Sequence, residues 1–189
     1  MTPQEIETAA RTLFEADQRG QQTGLLSIAN PDMAMDDAYL VQAALIKLHR
    51  ANGRRVIGWK IGLTSKAMQA ALNIDIPDSG VLLDHMAFEN GAHIAADRFI
   101  QPRIEAEVAF VMKHTLAGPD VTVEQVLEAT DYVTPSLEIL DTRILRFDPE
   151  TGRTRNICDT ISDNAANGGV VLGDQKLDPG AIDMRWMGA

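Results

Sequence analysis

Glu105, Glu107 and Glu138 are the residues of this chain whose types and spacing most suggest chemistry. Glu105 and Glu107 interrupt Arg103-Ile104-Glu105-Ala106-Glu107-Val108-Ala109-Phe110-Val111-Met112, a segment that otherwise reads as a buried strand. Strand side chains alternate faces, so the two carboxylates point the same way, roughly 6.5–7 Å apart. Two like charges that close on an apolar strand are costly unless something neutralises them. Glu138 lies in a similar setting, Pro135-Ser136-Leu137-Glu138-Ile139-Leu140. Three carboxylates on apolar strands suit a hard divalent cation, Mg²⁺ first. Glu-x-Glu alone fits a solvated sheet face equally well, and the spacing leaves both readings open.

Three further positions sit in chemically odd places. Lys60 breaks the apolar, glycine-containing run Gly58-Trp59-Lys60-Ile61-Gly62. A lysine near a dication could move protons close to neutral pH, whereas one that reaches past a sheet edge into water would not. Asp78 lies in Pro77-Asp78-Ser79-Gly80, which reads as a turn. Ser162 belongs to a dense polar cluster, Asp159-Thr160-Ile161-Ser162-Asp163-Asn164, placed before a strand. Such a cluster can bind a carboxylate or cap a turn. The four histidines, His49, His85, His93 and His114, lack metal-ligand spacing and read as surface or turn residues. No P-loop, dinucleotide fingerprint or serine nucleophile elbow is present.

The elements that must position these groups follow from periodicity. Thr2-Pro3-Gln4-Glu5 is a capping box with proline in the first turn, and Ile6, Ala9, Ala10, Leu13 and Phe14 form one stripe. A polar loop follows, and Asp36 or Asp37 then caps a second helix with Val41, Ala44, Leu45 and Leu48 inward and Gly53 past its end. From residue 55 the period changes to strands at 55–63, 81–83, 98–100, 103–113, 131–141 and 169–172. Short helices are predicted from Thr64 or Ser65 through Leu72 and from Thr122 through Ala129. The glycines at 58 and 62 permit close backbone approach. Residues 148–155 read as an exposed polar loop. The expected architecture is α+β, with an N-terminal helical segment (1–54) on a mixed β domain (55–189), effectively one domain.

Composition narrows the function classes. The chain has 189 residues, 45% hydrophobic and 23% charged, and can bury a substantial core. A formal charge of −10 without a basic stripe argues against nucleic acid as a partner. The apolar runs are too short for a membrane span, and the polar, acidic N-terminus is not a signal peptide. One cysteine, Cys158, suits a reducing cytoplasm and reads as a packing residue, since neighbouring Asp159 hinders thiolate formation.

Taken in order, five motifs resemble the hydratase/decarboxylase branch of the fumarylacetoacetate hydrolase superfamily. They are Gly58-Trp59-Lys60-Ile61-Gly62-Leu63-Thr64-Ser65-Lys66-Ala67-Met68, Pro77-Asp78-Ser79-Gly80, Pro102-Arg103-Ile104-Glu105-Ala106-Glu107, Pro135-Ser136-Leu137-Glu138 and Asp159-Thr160-Ile161-Ser162-Asp163-Asn164-Ala165-Ala166-Asn167. The resemblance implies a barrel-like sheet of the fumarylacetoacetase C-terminal type. It implies Glu105, Glu107 and Glu138 as ligands of Mg²⁺ (or Mn²⁺), Lys60 in proton transfer, Asp78 near the substrate and Ser162 on its carboxylate. The implied activity is a hydratase of 2-oxo-alkenoates, 2-oxohept-4-ene-1,7-dioate first, in 4-hydroxyphenylacetate (aromatic meta-cleavage) catabolism. An oxalocrotonate-type decarboxylase is the sister reading. A heptenedioate needs a cation or donor for its distal carboxylate, and Arg143 and Arg146 read equally as that group or as solvated loop residues. A homo-oligomer is implied as well. The family continues past Ala189, so the sheet domain is expected to be C-terminally truncated, with exposed edges, and a truncated inactive subunit is the alternative reading.

Overall fold

Thr2 starts the first helix as its motif predicts. In the computed structural model, which describes residues 1–71, 74 and 76–183, helix α1 spans Pro3–Arg19. The Glu5 N–H donates to Thr2 Oγ1 at 3.3 Å, and the Thr2 N–H donates to Glu5 Oε2 at 2.7 Å. Ala9, Ala10, Leu13 and Ala16 form its buried stripe, and Gly20 ends it at φ 62°, where glycine avoids the left-handed penalty. Helix α2 (Leu26–Ala29) lies in what reads as a polar loop. Helix α3 runs Met35–Ala51 and begins at Ala34, earlier than the aspartates. Asp37 still caps it from within, accepting from the Ala34 N–H at 3.1 Å and from the chain's N-terminal ammonium at 2.8 Å.

Helix α3 is the pillar of the fold because three of its sides are apolar. Val41 and Leu45 pack with Leu13 of α1, Leu25, Leu26 and Ile144. Each such buried aliphatic side chain contributes roughly 1.5–3 kcal/mol. Ala38 meets Cys158 and Ile161 of α6 (Ile157–Ser162), and Ile46 meets Leu83 and Met86. Cys158 packs as expected, and burial, with Asp159 second, pushes its thiol up.

Among the described residues the strands form two sheets. β1 (Val56–Gly62) pairs antiparallel with β2 (Asp78–Leu83). Helix α4 (Lys66–Ala71) joins them, and its predicted end, Leu72, lies outside the described residues. The second sheet has the order β3-β6-β5-β4, from β3 (Ala87–Phe88), β4 (Arg103–Met112), β5 (Thr130–Leu140) and β6 (Asn167–Leu172). Helix α5 (Val123–Ala129), capped by Thr122 as expected, leads into β5.

Several expectations change. Residues 98–100 are irregular, and the short strand is 87–88. Asp78 is the first residue of β2, paired with Gly62, and is not in a turn. β4 is an edge strand, so Ile104 is 67% exposed instead of buried. Among the described residues the two sheets do not close into a barrel. No described helix is long and apolar enough to cross a membrane.

His49 is interior, unlike the surface or turn residue expected, whereas His85 lies half-buried in the turn that follows β2. His49 of α3 is buried, its ring centroid 6.0 Å from that of His85 and, in a T-shaped contact, 5.0 Å from that of Phe14. Burial holds His49 down at about 4; nearby Asp17 opposes this, while His85, Arg143 and Arg54 reinforce it. An unfolded chain protonates this ring near the ordinary value of 6.5. Between that value and about 4 the unfolded state therefore binds the extra proton, and stability present at neutral pH is lost as pH falls. Urea melts should lose roughly 2 kcal/mol from this ring between neutral pH and about pH 4.5. His49→Gln should flatten that slope, and an unchanged slope would refute the assignment.

Candidate metal centre

Strand register brings the three glutamates together. Glu105 of β4 lies directly opposite Glu138 of β5, and Glu107 is two residues farther on the same face. One carboxylate oxygen from each lies within 4.8 Å of the others. Glu138 is buried, and Glu105 and Glu107 are exposed. Position 138 thus shares the face of the other two.

The two-stranded sheet supplies the opposite wall. Along β1, Ile57, Trp59 and Ile61 face outward and are exposed, while Gly58, Lys60 and Gly62 occupy the other face. Lys60 Nζ stands 3.4 Å from Glu138 Oε1. A Cβ on Gly62 would overlap Asp78 Oδ1 and come within 3.0 Å of Lys60 Nζ. The close approach predicted for this glycine is therefore real: its missing side chain is the space that Asp78 and Lys60 use.

The electrostatics are those of a cluster short of positive charge. Burial raises Glu138 above the usual carboxylate range, with Lys60 opposing. Burial and then Glu105 raise Glu107. Burial also raises Asp78, again with Lys60 opposing. Among the described residues, Glu138 Oε1 and Asp78 Oδ1 are buried without a hydrogen-bond partner. A single lysine faces three glutamates and Asp78, so the cluster lacks positive charge that a dication bound by oxygen ligands would supply. The residues present fit a hard divalent ion.

Ser162 ends α6, fully buried, and its Oγ has no partner among the described residues. Helix α6 packs on β2, the strand that carries Asp78. Residues that sequence reasoning missed hold this junction. Gln42 Nε2 donates to the backbone oxygens of Ser79 at 2.8 Å and Ile161 at 3.0 Å. Asn164, Ala165 and Ala166 all have left-handed φ (53°, 52° and 58°), a cost of roughly 1–2 kcal/mol each. Asn164 offsets it by accepting from the Val81 N–H at 2.7 Å and donating to the Val81 oxygen at 2.9 Å. The signal available in the sequence was the density of amides and aspartates at 159–167.

Arg143 is not placed to meet a substrate. It is buried, ion-paired to Asp163, and donates to the Asn167 oxygen at 3.2 Å. Its guanidinium serves the fold. His93 and His114 are exposed, as expected.

Known proteins resemble this chain in sequence and in fold. No family model matches the chain. It is 49% identical over 180 residues to a 2-oxo-hept-4-ene-1,7-dioate hydratase of Escherichia coli, covering 95% of this chain and 67% of that protein. It is 43% identical over 181 residues to a 2-hydroxyhexa-2,4-dienoate hydratase of Comamonas testosteroni, covering 95% of this chain and 66% of that protein. Among solved structures, the 4-oxalocrotonate decarboxylase of Pseudomonas putida G7, complexed with magnesium and adipate, superposes with a TM-score of 0.89 at 29% identity, covering 98% of this chain and 68% of that one. The chain thus spans about two thirds of the length of these relatives. It belongs to the hydratase/decarboxylase family that includes the 2-oxo-hept-4-ene-1,7-dioate hydratases.

Proposed function

We propose that this chain is a hydro-lyase that adds water to 2-oxohept-4-ene-1,7-dioate, giving a 4-hydroxy-2-oxo acid in the catabolism of 4-hydroxyphenylacetate and related aromatics. The observation that carries the proposal is the convergence of Glu105, Glu107 and Glu138 opposite Lys60 and Asp78. The two hydratase relatives, at 49% and 43% identity, support hydration over decarboxylation, whose structural representative is 29% identical.

Glu105, Glu107 and Glu138 would hold Mg²⁺ or Mn²⁺. When bound, such an ion supplies positive charge that stabilises the enolate form of a 2-oxo acid. Lys60 Nζ takes a proton from C3 of the substrate and returns one at C5. The double bond thereby moves from C4–C5 to C3–C4, into conjugation with the ketone. Water then adds at C4 and a proton at C3, so the net change is one water added. Asp78, kept above the ordinary range by burial, shares the proton traffic of Lys60 across the gap at Gly62. Ser162 Oγ, buried and without a partner among the described residues, offers its hydroxyl to the substrate's carboxylate.

Assembly of identical subunits belongs to the same reading and is supported by the exposed Ile57, Trp59 and Ile61 on β1. A cytoplasmic location is supported by the free, buried Cys158. The test is an assay of 2-oxohept-4-ene-1,7-dioate with Mg²⁺ and with chelator. Lys60→Met should lower kcat about 10²–10⁴-fold. Release of CO₂ in place of a 4-hydroxy-2-oxo product would refute the hydratase assignment.

A further inference from the structure

In a chain with a formal charge of −10, Arg103, Arg146 and Arg155 lie within electrostatic range of one another, and among the described residues none of them forms an ion pair. Arg103 opens β4 two residues before Glu105, on the same strand face and roughly 6.5–7 Å along the strand. Arg146 donates from Nε to Gln101 Oε1 at 2.8 Å, which ties it to the segment leading into β4. The Arg155 N–H donates to the Arg146 oxygen at 2.9 Å, so these two residues sit side by side at the base of the 146–155 loop.

Arg155 has donor capacity to spare. Its Nη1 is buried and has no hydrogen-bond partner among the described residues. The carboxylates within its electrostatic range, Asp163 and Asp159, are already occupied. Asp163 accepts from Arg143 Nε and from the N–H groups of Arg143 and Ile144. Asp159 accepts from the Ser27 N–H and hydroxyl and from the Asn156 N–H. The arginines also repel one another. Burial and then Arg103 hold Arg146 below its ordinary value. Burial holds Arg155 down, with Arg146 and Arg103 adding to it against the pull of Asp163 and Asp159. An anion would relieve that repulsion, and a guanidinium matches a carboxylate in two-pronged geometry.

We propose that Arg103, Arg146 and Arg155 form a receptor for the distal carboxylate of a dicarboxylate 2-oxo acid whose keto-acid end lies at Glu105, Glu107 and Glu138. This rests on the function proposed above and deepens it, because it makes the site selective for dioates over monocarboxylates of similar length. Arg103 places the receptor about one short acyclic chain from the glutamates. The polar loop at 148–155 gains a purpose, since its closing residue delivers Arg155.

The test is titration calorimetry of the full chain in Mg²⁺, with 2-oxoheptanedioate and 2-oxohexanoate as non-reacting probes. Wild type should prefer the dioate at least about tenfold. Arg155→Gln, and independently the more exposed Arg146→Gln, should collapse that preference toward unity. Absence of a dioate preference in wild type, including absence of binding, overturns the receptor, as does a preference left intact in both variants. A preserved dioate preference in a chain that fails to hydrate its substrate would refute the hydratase reading and leave the receptor standing.

Discussion

Magnesium should raise the thermal midpoint of the wild-type chain, and Glu138→Gln should erase that rise. A ligand that binds only the folded state adds about 2.7 kcal/mol at a hundredfold excess over Kd. For a chain of this size that corresponds to about 5–11 °C. Glu138 is the ligand to remove first because it is buried and lies between Lys60 and the other two carboxylates. The amide keeps the shape and loses the charge that holds a hard cation. Glu107→Gln should abolish the response as well, and it carries a second expectation. Burial and Glu105 keep the Glu107 carboxyl above its usual range, so its ionised form costs folding free energy at neutral pH. Without metal, Glu107→Gln should therefore melt no lower than wild type. An equal magnesium shift in wild type and both variants would end the case for a metal centre at these glutamates.

How much of this was legible in the sequence differs by element. Helix α1 and helix α5 were read from their capping boxes, because those interactions are local and span three residues. The shared face of Glu105 and Glu107 followed from the period of a strand. That Glu138 joins them depends on the register of β4 against β5, which no local pattern fixes. The exposure of β4 was misjudged for a related reason. Ile104, Val108 and Phe110 look like core residues, and only the strand order places them at an edge. Asp78 was read as a turn because Pro-Asp-x-Gly satisfies turn chemistry, yet its pairing with Gly62 is decided by a strand sixteen residues away. The burial of His49 is not legible because a lone histidine carries no signal of burial, whereas His85 does lie in a turn. Their stacking depends on how α3 meets the turn after β2. Helix α6 and the left-handed turn that follows were hidden by their own polarity, since the side chains at 159–167 satisfy backbone groups of distant segments.

Removing Asp163 should be among the most damaging single changes away from the metal centre. Asp163→Ala is expected to cost about 3–5 kcal/mol, because it leaves the Arg143 charge buried without its partner. Asp163 is fully buried, and its carboxylate accepts from Arg143 Nε and from two backbone N–H groups, those of Arg143 and Ile144. Arg143 would keep only the backbone oxygens of Asn167 and residue 163 and a 3.8 Å approach to Asp17. Asp163→Asn should cost less, since the amide oxygen can still accept one backbone N–H. Arg143→Met should be destabilising alone, yet the double variant Arg143→Met/Asp163→Asn should lose less than the two separate losses combined, the mark of a coupled pair. Urea unfolding at neutral pH measures all four variants, and a loss below about 1 kcal/mol for Asp163→Ala would show that the pair is not what holds this junction. The Asp163→Asn chain should still respond to magnesium. Its glutamates stand on β4 and β5, which are paired to each other along their length, whereas Asp163 ties the exit of β5 to the segment that follows α6.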